Sequence, residues 1–453
     1  MRPIFLLIDF LSLHLPSHYR HVLGRESAPP RPVGAINRTP TSFLASLGRL
    51  RGLFPMLIRV VALGMVVALV GCASATSPSA GTAANHNRVI NASLLEGSSS
   101  GDWPMFGYDP GHTGFVDQLV DPRAIQGKLL WTRRLGSIFS SPVAGLNMLY
   151  IASTDGYLYA LRQDSGDVVW RVRLNNLLTD ATPALEGHVV FVAMHSKAIG
   201  AFDARTGLMY WTFDTGEKIQ APPLVVGGRV FVASLTHLWV LDAASGRVIW
   251  QFRHGASGWP TTGAPAIMGN TVYVGLGTGT QLWALDLSDG HVLWSFDTGD
   301  RITSSTLVQG NAVYIATWRG KIFALDRASG KQRWVYLLNA VRDQNVVDGV
   351  GGSMALAENR LYVGDYRGSI LCIDAVHGKL IWRFATGAQV LATPVVTGDR
   401  IYTGSSDGFF YALNSKTGRP AWRYATGEIR GSASLANGHL YVGGLNGMVY
   451  AFT

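Results

Sequence analysis

Cysteine is scarce in this sequence, and several catalytic motifs are missing altogether. The 453 residues include two cysteines, Cys72 and Cys372, too few for a disulfide framework or a paired-cysteine metal site. Neither a His-Glu-x-x-His motif nor a Walker loop occurs, which argues against a zinc protease and a P-loop nucleotide enzyme. The glycines of 275–279 fall in an expected strand-to-strand turn and open no helix, so they predict no nucleotide site.

Basic charge is concentrated at the start of the chain. The formal net charge is +9, and residues 1–71 hold eight arginines against Asp9 and Glu26. The remainder carries a surplus of about +3, which argues against a nucleic-acid partner.

Tryptophan, by contrast, recurs at an interval of about 40 residues, the period of one four-stranded propeller blade. Seven copies share one phrase: an apolar pair, usually Asp, then Ser/Thr-Gly, three residues and Trp, as in 201–211. A fourth strand would place this large side chain between adjacent blades, so we expect a blade-docking role and no ligand role. The eight tryptophans are Trp131, Trp170, Trp211, Trp250, Trp294, Trp334, Trp382 and Trp422.

The eighth copy of the phrase is divided between the two ends of the chain. Trp131 follows Gly127 without an Ala-Leu-Asp, whereas residues 451–453 form the front half of the phrase without its Gly or Trp. A lone blade has unpaired edges, and a ring is complete only when the last blade meets the first. An open solenoid would carry polar capping repeats, and we find none. We therefore predict an all-β fold over residues 127–453: an eight-bladed β-propeller of four-stranded antiparallel blades, the last blade closed by the N-terminal strand.

The strands of each copy can be located from alternation and turn residues. First strands are expected to start among small residues such as 140–142 and 392–394, because little room exists near the axis. Second strands carry an apolar-Tyr-Val core, and Asp/Asn-Gly pairs at 155–156, 407–408 and 446–447 predict tight hairpins. The Asp-x-x-Ser/Thr-Gly stretch predicts the last turn of the blade.

The repeated phrase resembles the tryptophan-docking motif of the quinoprotein-type (PQQ-repeat) eight-bladed propellers, and residues 103–114 are similar to their lead-in segment. We assign residues 102–126 to this lead-in segment. The family contains both quinone-dependent dehydrogenases and scaffolds without catalytic activity, among them the propeller lipoprotein of the outer-membrane β-barrel assembly machinery. The resemblance therefore predicts the fold and leaves the activity open.

The resemblance also tells us what a dehydrogenase of this family would need. Such enzymes typically pair a calcium ion, held by carboxylate and amide side chains, with a catalytic Asp, and many add a disulfide between adjacent cysteines. This sequence has no adjacent cysteines and lacks long insertions, so we expect no catalytic residue, cofactor or metal. The alternative is a calcium site of Asp343, Asn345 and Asp348, since calcium prefers oxygen ligands.

The leader resembles a bacterial lipoprotein signal. Arg59 precedes the apolar run 60–70, which is too short to span a membrane, and Leu69-Val70-Gly71-Cys72 resembles a lipobox. We interpret residues 1–55 as an over-called start or leader extension, 56–71 as the signal peptide, Cys72 as the lipid-attachment residue and 72–101 as a flexible tether. The alternative is an ordinary cleaved signal with an incidental cysteine. Cys372 is expected to be a buried core residue.

One face of the predicted ring carries the longest links between blades. Aromatic and arginine side chains on loops held by a rigid ring suit a protein-binding surface, although such loops would alternatively plug the central channel. The candidate partner-binding residues are Trp259, Trp318, Arg342, Asp343, Asn345 and Tyr366.

The resemblance and the leader together predict a function. We expect a monomeric, membrane-anchored, extracytoplasmic scaffold that binds envelope proteins, with outer-membrane protein assembly as the leading specific role. The alternative is a PQQ-dependent alcohol or sugar dehydrogenase.

Overall fold

Eight sheets of four antiparallel strands surround one axis in the computed structural model of this protein, and a short parallel strand extends one of them. The structure describes residues 88–96, 102–116, 125–174, 182–194, 197–253, 263–276, 279–338 and 349–453. Over these ranges the helical structure amounts to the 3-10 turn Ala92–Leu94, and no helix there has the length and apolarity to cross a membrane. The predicted all-β, eight-bladed propeller is confirmed.

The strands follow the chain blade by blade from the axis outwards. Before the first blade lies β1 (Phe115–Val116). Blade 1 contains β3 (Val143–Gly145), β4 (Met148–Ala152), β5 (Tyr157–Arg162) and β6 (Val168–Arg173). Blade 2 contains β7 (Ala184–Glu186), β8 (Val189–Met194), β9 (Ala198–Asp203) and β10 (Met209–Asp214). Blade 3 contains β11 (Leu224–Val226), β12 (Arg229–Ala233), β13 (His237–Asp242) and β14 (Val248–Arg253). Blade 4 contains β15 (Ala266–Met268), β16 (Thr271–Gly275), β17 (Gln281–Asp286) and β18 (Val292–Asp297).

The second half of the ring repeats the same order. Blade 5 contains β19 (Leu307–Gln309), β20 (Ala312–Ala316), β21 (Lys321–Asp326) and β22 (Gln332–Leu337). Blade 6 contains β23 (Met354–Ala357), β24 (Arg360–Gly364), β25 (Ser369–Asp374) and β26 (Leu380–Ala385). Blade 7 contains β27 (Val395–Thr397), β28 (Arg400–Gly404), β29 (Phe409–Asn414) and β30 (Pro420–Ala425). Blade 8 contains β31 (Ser434–Ala436), β32 (His439–Gly443), β33 (Met448–Phe452) and, as its outer strand, β2 (Leu129–Arg134).

Blade 8 is closed by the N-terminal strand, as predicted. Strand β2 pairs antiparallel with β33, with Trp131 opposite Ala451. The last residue continues this ladder, because the Thr453 carbonyl accepts hydrogen bonds from the amides of Gln126 (3.0 Å) and Lys128 (2.9 Å). The front and back halves of the divided repeat therefore form one blade.

The repeated tryptophans lie between neighbouring blades. Seven of the indole N–H groups donate to a backbone carbonyl in the turn of the next blade, over distances of 2.9 to 3.1 Å, and their rings pack on the glycine of that turn. The eighth, that of Trp422, donates to Ile125 O of the N-terminal segment at 3.3 Å, and its ring packs on Gly127. A bulge in every outer strand, at the residue before the tryptophan, shifts the register of the pairing. Bulges of this kind twist an exposed edge away from pairing with other chains.

The residues just before the first strands form a chain of hydrogen bonds around the axis, from blade 4 through blade 8 to blade 2. We expected the first strands to start among residues such as 140–142 and 392–394, but β3 and β27 start directly after them. In each bond of this chain, one backbone amide before a first strand donates to a hydroxyl group of the next blade. The bonds are Ser432 N to Ser141 Oγ, Ser141 N to Thr182 Oγ1, Ala264 N to Ser305 Oγ, Ser305 N to Ser353 Oγ, Ser353 N to Thr393 Oγ1 and Thr393 N to Ser432 Oγ.

The connections of the antiparallel blades alternate between the two faces of the disc. We call one the turn face; it carries the hairpins between first and second strands and the turns between third and fourth strands. We call the other the loop face; it carries the hairpins between second and third strands and the links from blade to blade.

The lead-in segment lies at the centre of the ring, against the first strands of the blades. The sequence did not predict this path. Trp103 bridges Ala144 of blade 1, and β1 pairs in parallel with β27 of blade 7. Between these ends, successive carbonyls of the segment accept hydrogen bonds from the middle of other first strands. The bonds are Leu185 N to Pro104 O, Ile267 N to Pro110 O, Val308 N to Gly111 O, Leu356 N to Thr113 O and Val396 N to Gly114 O. One continuous segment thus holds the first strands of six blades.

Candidate functional site

Two aromatic residues predicted for the binding face meet at the junction of blades 5 and 6. Trp318 lies in the hairpin between β20 and β21, and Tyr366 lies in the hairpin between β24 and β25. Their ring centroids are 5.2 Å apart at an interplanar angle of 65°, an edge-to-face contact. Both side chains are half-buried, so each keeps part of its ring on the surface. The two hairpins therefore present one continuous aromatic surface on the loop face.

Three glycines allow the end of the link from blade 5 to blade 6 to approach its neighbours closely. A Cβ on Gly349 would come within 1.8 Å of the Trp318 carbonyl oxygen, and one on Gly351 within 2.9 Å of Tyr366 Cζ. A Cβ on Gly352 would lie 2.2 Å from the carbonyl oxygen of Leu391. These glycines were not predicted as part of the site, although three glycines within four residues were a usable signal in the sequence. At Gly349 and Gly351 the end of the link from blade 5 to blade 6 therefore packs against Trp318 and Tyr366.

Arginine side chains surround the aromatic pair. The Arg301 guanidinium lies over the Trp318 ring, 5.7 Å from its centroid, in a cation–π arrangement. Arg319, next to Trp318 in the same hairpin, is exposed. Burial raises the pKa of the Tyr366 hydroxyl, and the positive charges of Arg301 and Arg430 partly offset this increase. We call Trp318, Tyr366, Arg301 and Arg319 the loop-face cluster.

Hydrogen bonds between links and hairpins hold the loop face rigid. Glu217, in the link from blade 2 to blade 3, accepts bonds from Ser234 Oγ (2.7 Å), the Thr236 amide (2.8 Å) and His237 Nδ1 (3.1 Å). Burial acts to raise the pKa of the Glu217 carboxyl, but these bonds and that of the Thr236 hydroxyl outweigh it and lower the pKa to about 2. Asp300 plays the same part at blade 5, where it accepts the Arg301 and Arg319 amides at 2.8 and 2.7 Å.

The other residues predicted for the binding face lie outside the described residues: Trp259, Arg342, Asp343 and Asn345, together with Asp348 of the alternative calcium site. Cys72 and the whole leader are outside them as well. Leu338 and Gly349, which flank the undescribed part of the long link, both bond to the loop-face hairpins. The Leu338 amide donates to Gly320 O at 2.9 Å, and the Tyr366 amide donates to Gly349 O at 3.1 Å.

Carboxylates that come close enough to share a metal ion occur on the opposite face. Within the described ranges, Asp286, Asp289 and His291 form the one cluster of three with ligand atoms within 4.8 Å of one another. It belongs to the turn between β17 and β18, on the turn face, and its members accept or make hydrogen bonds within that turn. Cys372 is fully buried in β25, as expected, and burial raises its thiol pKa to about 12.

The ring of eight tryptophan-docked blades defines the class of protein as an eight-bladed propeller of the quinoprotein-like type. Family matches cover residues 111–198, 154–349 and 338–453. The chain belongs to the family described as outer membrane protein assembly factor BamB.

Curated relatives include both assembly factors and enzymes. BamB from Legionella pneumophila is 27% identical over 201 residues, which span 40% of this chain and 49% of that protein. Tetrathionate hydrolase from Acidithiobacillus ferrooxidans is 27% identical over 155 residues, which span 28% of this chain and 31% of that enzyme. The matches therefore span less than half the length of both relatives.

Solved structures show the same division. BamB from Moraxella catarrhalis superposes with a TM-score of 0.60 and 20% identity, covering 72% of this chain and 97% of that one. Quinohemoprotein alcohol dehydrogenase from Comamonas testosteroni superposes with a TM-score of 0.68 and 17% identity, covering 82% and 83%. At such identities both likenesses show the shared fold alone.

Proposed function

We propose that this protein is a lipid-anchored, extracytoplasmic scaffold whose loop face binds a protein partner in outer-membrane protein assembly. Membership in the BamB family supports the assembly role. The choice of the loop face as the binding surface rests on a single observation, the contact between Trp318 and Tyr366. Aromatic residues beside arginine, fixed on a rigid frame, are the composition at which binding energy concentrates in protein interfaces.

The N-terminal segment supports the loop face over the turn face. Residues 88–95 run across the turn face at blades 2 and 3, where the Ile90 amide donates to Ala244 O (2.8 Å) and the His188 amide donates to Leu94 O (2.7 Å). Ile90 is buried there, 2% exposed. Part of the turn face is thus covered by residues 88–95, whereas no described residue outside the loop face is seen to cover Trp318 and Tyr366, which are half-buried, or Arg319, which is exposed.

Partner capture tests the proposal. Detergent-solubilised envelope from the source cells is passed over the parent protein and the double variant Trp318→Ala/Tyr366→Ala. The variant should lose most of the captured protein and keep the parental melting temperature. The matched control, Arg205→Ala/Lys416→Ala on exposed turn-face positions, should capture as the parent does. Equal capture by the two double variants would place the functional surface elsewhere.

The anchor and the alternative activity need separate measurements. Cys72→Ser should abolish incorporation of labelled palmitate, and incorporation equal to that of the parent would contradict lipidation at this residue. Purified protein supplied with a quinone cofactor and calcium should show no turnover of alcohols or sugars with an artificial electron acceptor. Measurable turnover would favour the dehydrogenase over the scaffold.

A further inference from the structure

The loops of blades 5 and 6 expose arginines and bury carboxylates. Arg319 is exposed and Arg301 is half-buried over Trp318. Asp300 is 8% exposed, and Asp365 is 2% exposed. Although the hairpin sequences contain both signs of charge, the surface formed by the loop-face cluster is therefore positive.

The buried carboxylates are already bound by the backbone. Asp300 accepts the amides of the two cluster arginines, and Asp365 accepts the amides of Arg367 (3.0 Å) and Ser369 (2.6 Å). Because Asp365 is buried, water screens its carboxyl poorly, and this burial raises its pKa. The two carboxylates stabilise the hairpins by accepting backbone amides. The guanidinium groups of Arg301 and Arg319 remain for other acceptors.

Several arginines of the described part of the ring are held in ion pairs, and the two cluster arginines are not among them. Arg133, Arg333, Arg360, Arg400 and Arg430 each make an ion pair with a carboxylate 2 to 34 positions away or directly adjacent in sequence. The side chains of Arg301 and Arg319 make no ion pair with any described residue, and the buried Nε of Arg301 has no hydrogen-bond partner there. The Arg301 guanidinium is held over an indole and has no carboxylate partner among the described residues. It is therefore positioned to pair with a carboxylate of another molecule.

We propose that the loop-face cluster binds an acidic segment of a partner protein, with carboxylates at Arg301 and Arg319 and an apolar side chain against the Trp318–Tyr366 edge. This assignment rests on the proposed scaffold function and specifies the chemistry of the partner. Complementary charge would speed the encounter and select against basic segments. The aromatic edge would supply the apolar contact that a charged rim lacks.

The test uses fluorescein-labelled short peptides of Glu and Phe, with a Lys and Phe peptide of the same pattern as comparison. The full-length protein should bind the acidic peptide, and added salt should weaken this binding because exposed charges are screened. Arg301→Glu/Arg319→Glu should weaken it about tenfold or more, as reversal of two interfacial charges does. Trp318→Ala alone should weaken it at all salt concentrations.

Matched variants separate the local effect from net charge and folding. Arg205→Glu/Arg247→Glu on the turn face makes the same change of net charge and should bind as the parent does. Arg301→Gln/Arg319→Gln removes the charges without adding carboxylates beside Asp300, and should show an intermediate loss with an unchanged melting temperature.

Several outcomes would overturn the proposal. They are equal binding of the acidic and basic peptides, parental affinity in the Arg301→Glu/Arg319→Glu variant, or binding to anionic vesicles in place of the peptide. Binding that begins only after Asp343→Asn/Asp348→Asn would show that the chain's own link takes the place of a partner. If envelope capture depends on Trp318 but is unchanged in the Arg301→Glu/Arg319→Glu variant, the scaffold function stands and the acidic partner is rejected.

Discussion

Gly127 lies directly under the indole of Trp422: a Cβ at this glycine would come within 2.6 Å of Trp422 Cδ2. The other seven tryptophans pack on turn glycines in the same way, at 166, 207, 246, 290, 330, 378 and 418. At the eighth position the glycine comes from the N-terminal segment and not from the turn that follows a third strand. The ring is therefore closed by a tryptophan–glycine contact as well as by strand pairing.

Gly127→Ala should destabilise the whole ring. The new methyl group meets the Trp422 ring, and the residue has a φ of +75°, so we expect a loss of about 2–4 kcal/mol from clash and backbone strain. Gly227→Ala is the control, because its φ is +61° with no atom within 4 Å of the new Cβ, and it should cost about 1–2 kcal/mol. Urea unfolding of both variants measures the difference, and equal losses would contradict the closing role of the contact.

Trp382→Ala should cost stability without changing partner capture. The indole N–H donates to Ser415 O at 3.0 Å, and the ring contacts Gly418 and Tyr362, so truncation should cost about 3–5 kcal/mol. Trp382→Phe keeps much of the packing and loses the hydrogen bond, so its loss should be smaller. Thermal unfolding checks the order, which would be wrong if Phe were no better than Ala.

Ser353→Ala should break the chain of hydroxyl bonds around the axis. Ser353 Oγ accepts the buried Ser305 amide at 2.8 Å, and an unsatisfied buried donor costs about 1–3 kcal/mol. Ser353→Thr should be tolerated, since Thr182 and Thr393 occupy equivalent places in the ring. Hydrogen exchange at the Ser305 amide should accelerate in the Ala variant and stay slow in the Thr variant.

His112 should make the lead-in segment sensitive to acid. The side chain is 2% exposed, its Nδ1 donates to Thr306 O at 3.2 Å, and burial lowers its pKa from 6.5 to about 4. Between these values the unfolded chain binds a proton that the folded chain does not, so stability should fall as the pH is lowered from 6.5 to about 4.

His112→Asn is the variant that isolates this contribution. Asn tolerates the positive φ of 56° at this position and does not titrate. The fall in melting temperature between pH 6.5 and 4 should be shallower in the variant than in the parent. Identical pH profiles would show that His112 does not carry the effect.

The ring was predictable because each blade repeats the same local chemistry. The tryptophan and the turn glycine recur in every copy, so the missing half-copies at the two ends predicted how blade 8 closes. The axial path of residues 102–116 was not predictable, because its carbonyls bond first strands across the ring and follow no sequence period. The same holds for the chain of hydroxyl bonds, where Ser141 Oγ accepts the amide of Ser432, 291 positions away in sequence.

The candidate site was predictable only in part. Hairpin topology placed Trp318 and Tyr366 on one face, but their contact and the packing of the link against them at Gly349 and Gly351 follow no sequence pattern. The loop-face cluster is positive because the carboxylates of Asp300 and Asp365 are buried, and the sequence does not reveal this burial.

Photocrosslinking from position 318 tests the central claim most directly. Benzoylphenylalanine replaces Trp318 in the protein expressed in its own cells, and the matched probe replaces Lys416, an exposed residue of the turn face. Ultraviolet light should link the probe at 318 to a discrete envelope protein and should give no such product from 416. A product from 416 and none from 318 would contradict the assignment of the loop face as the partner-binding surface.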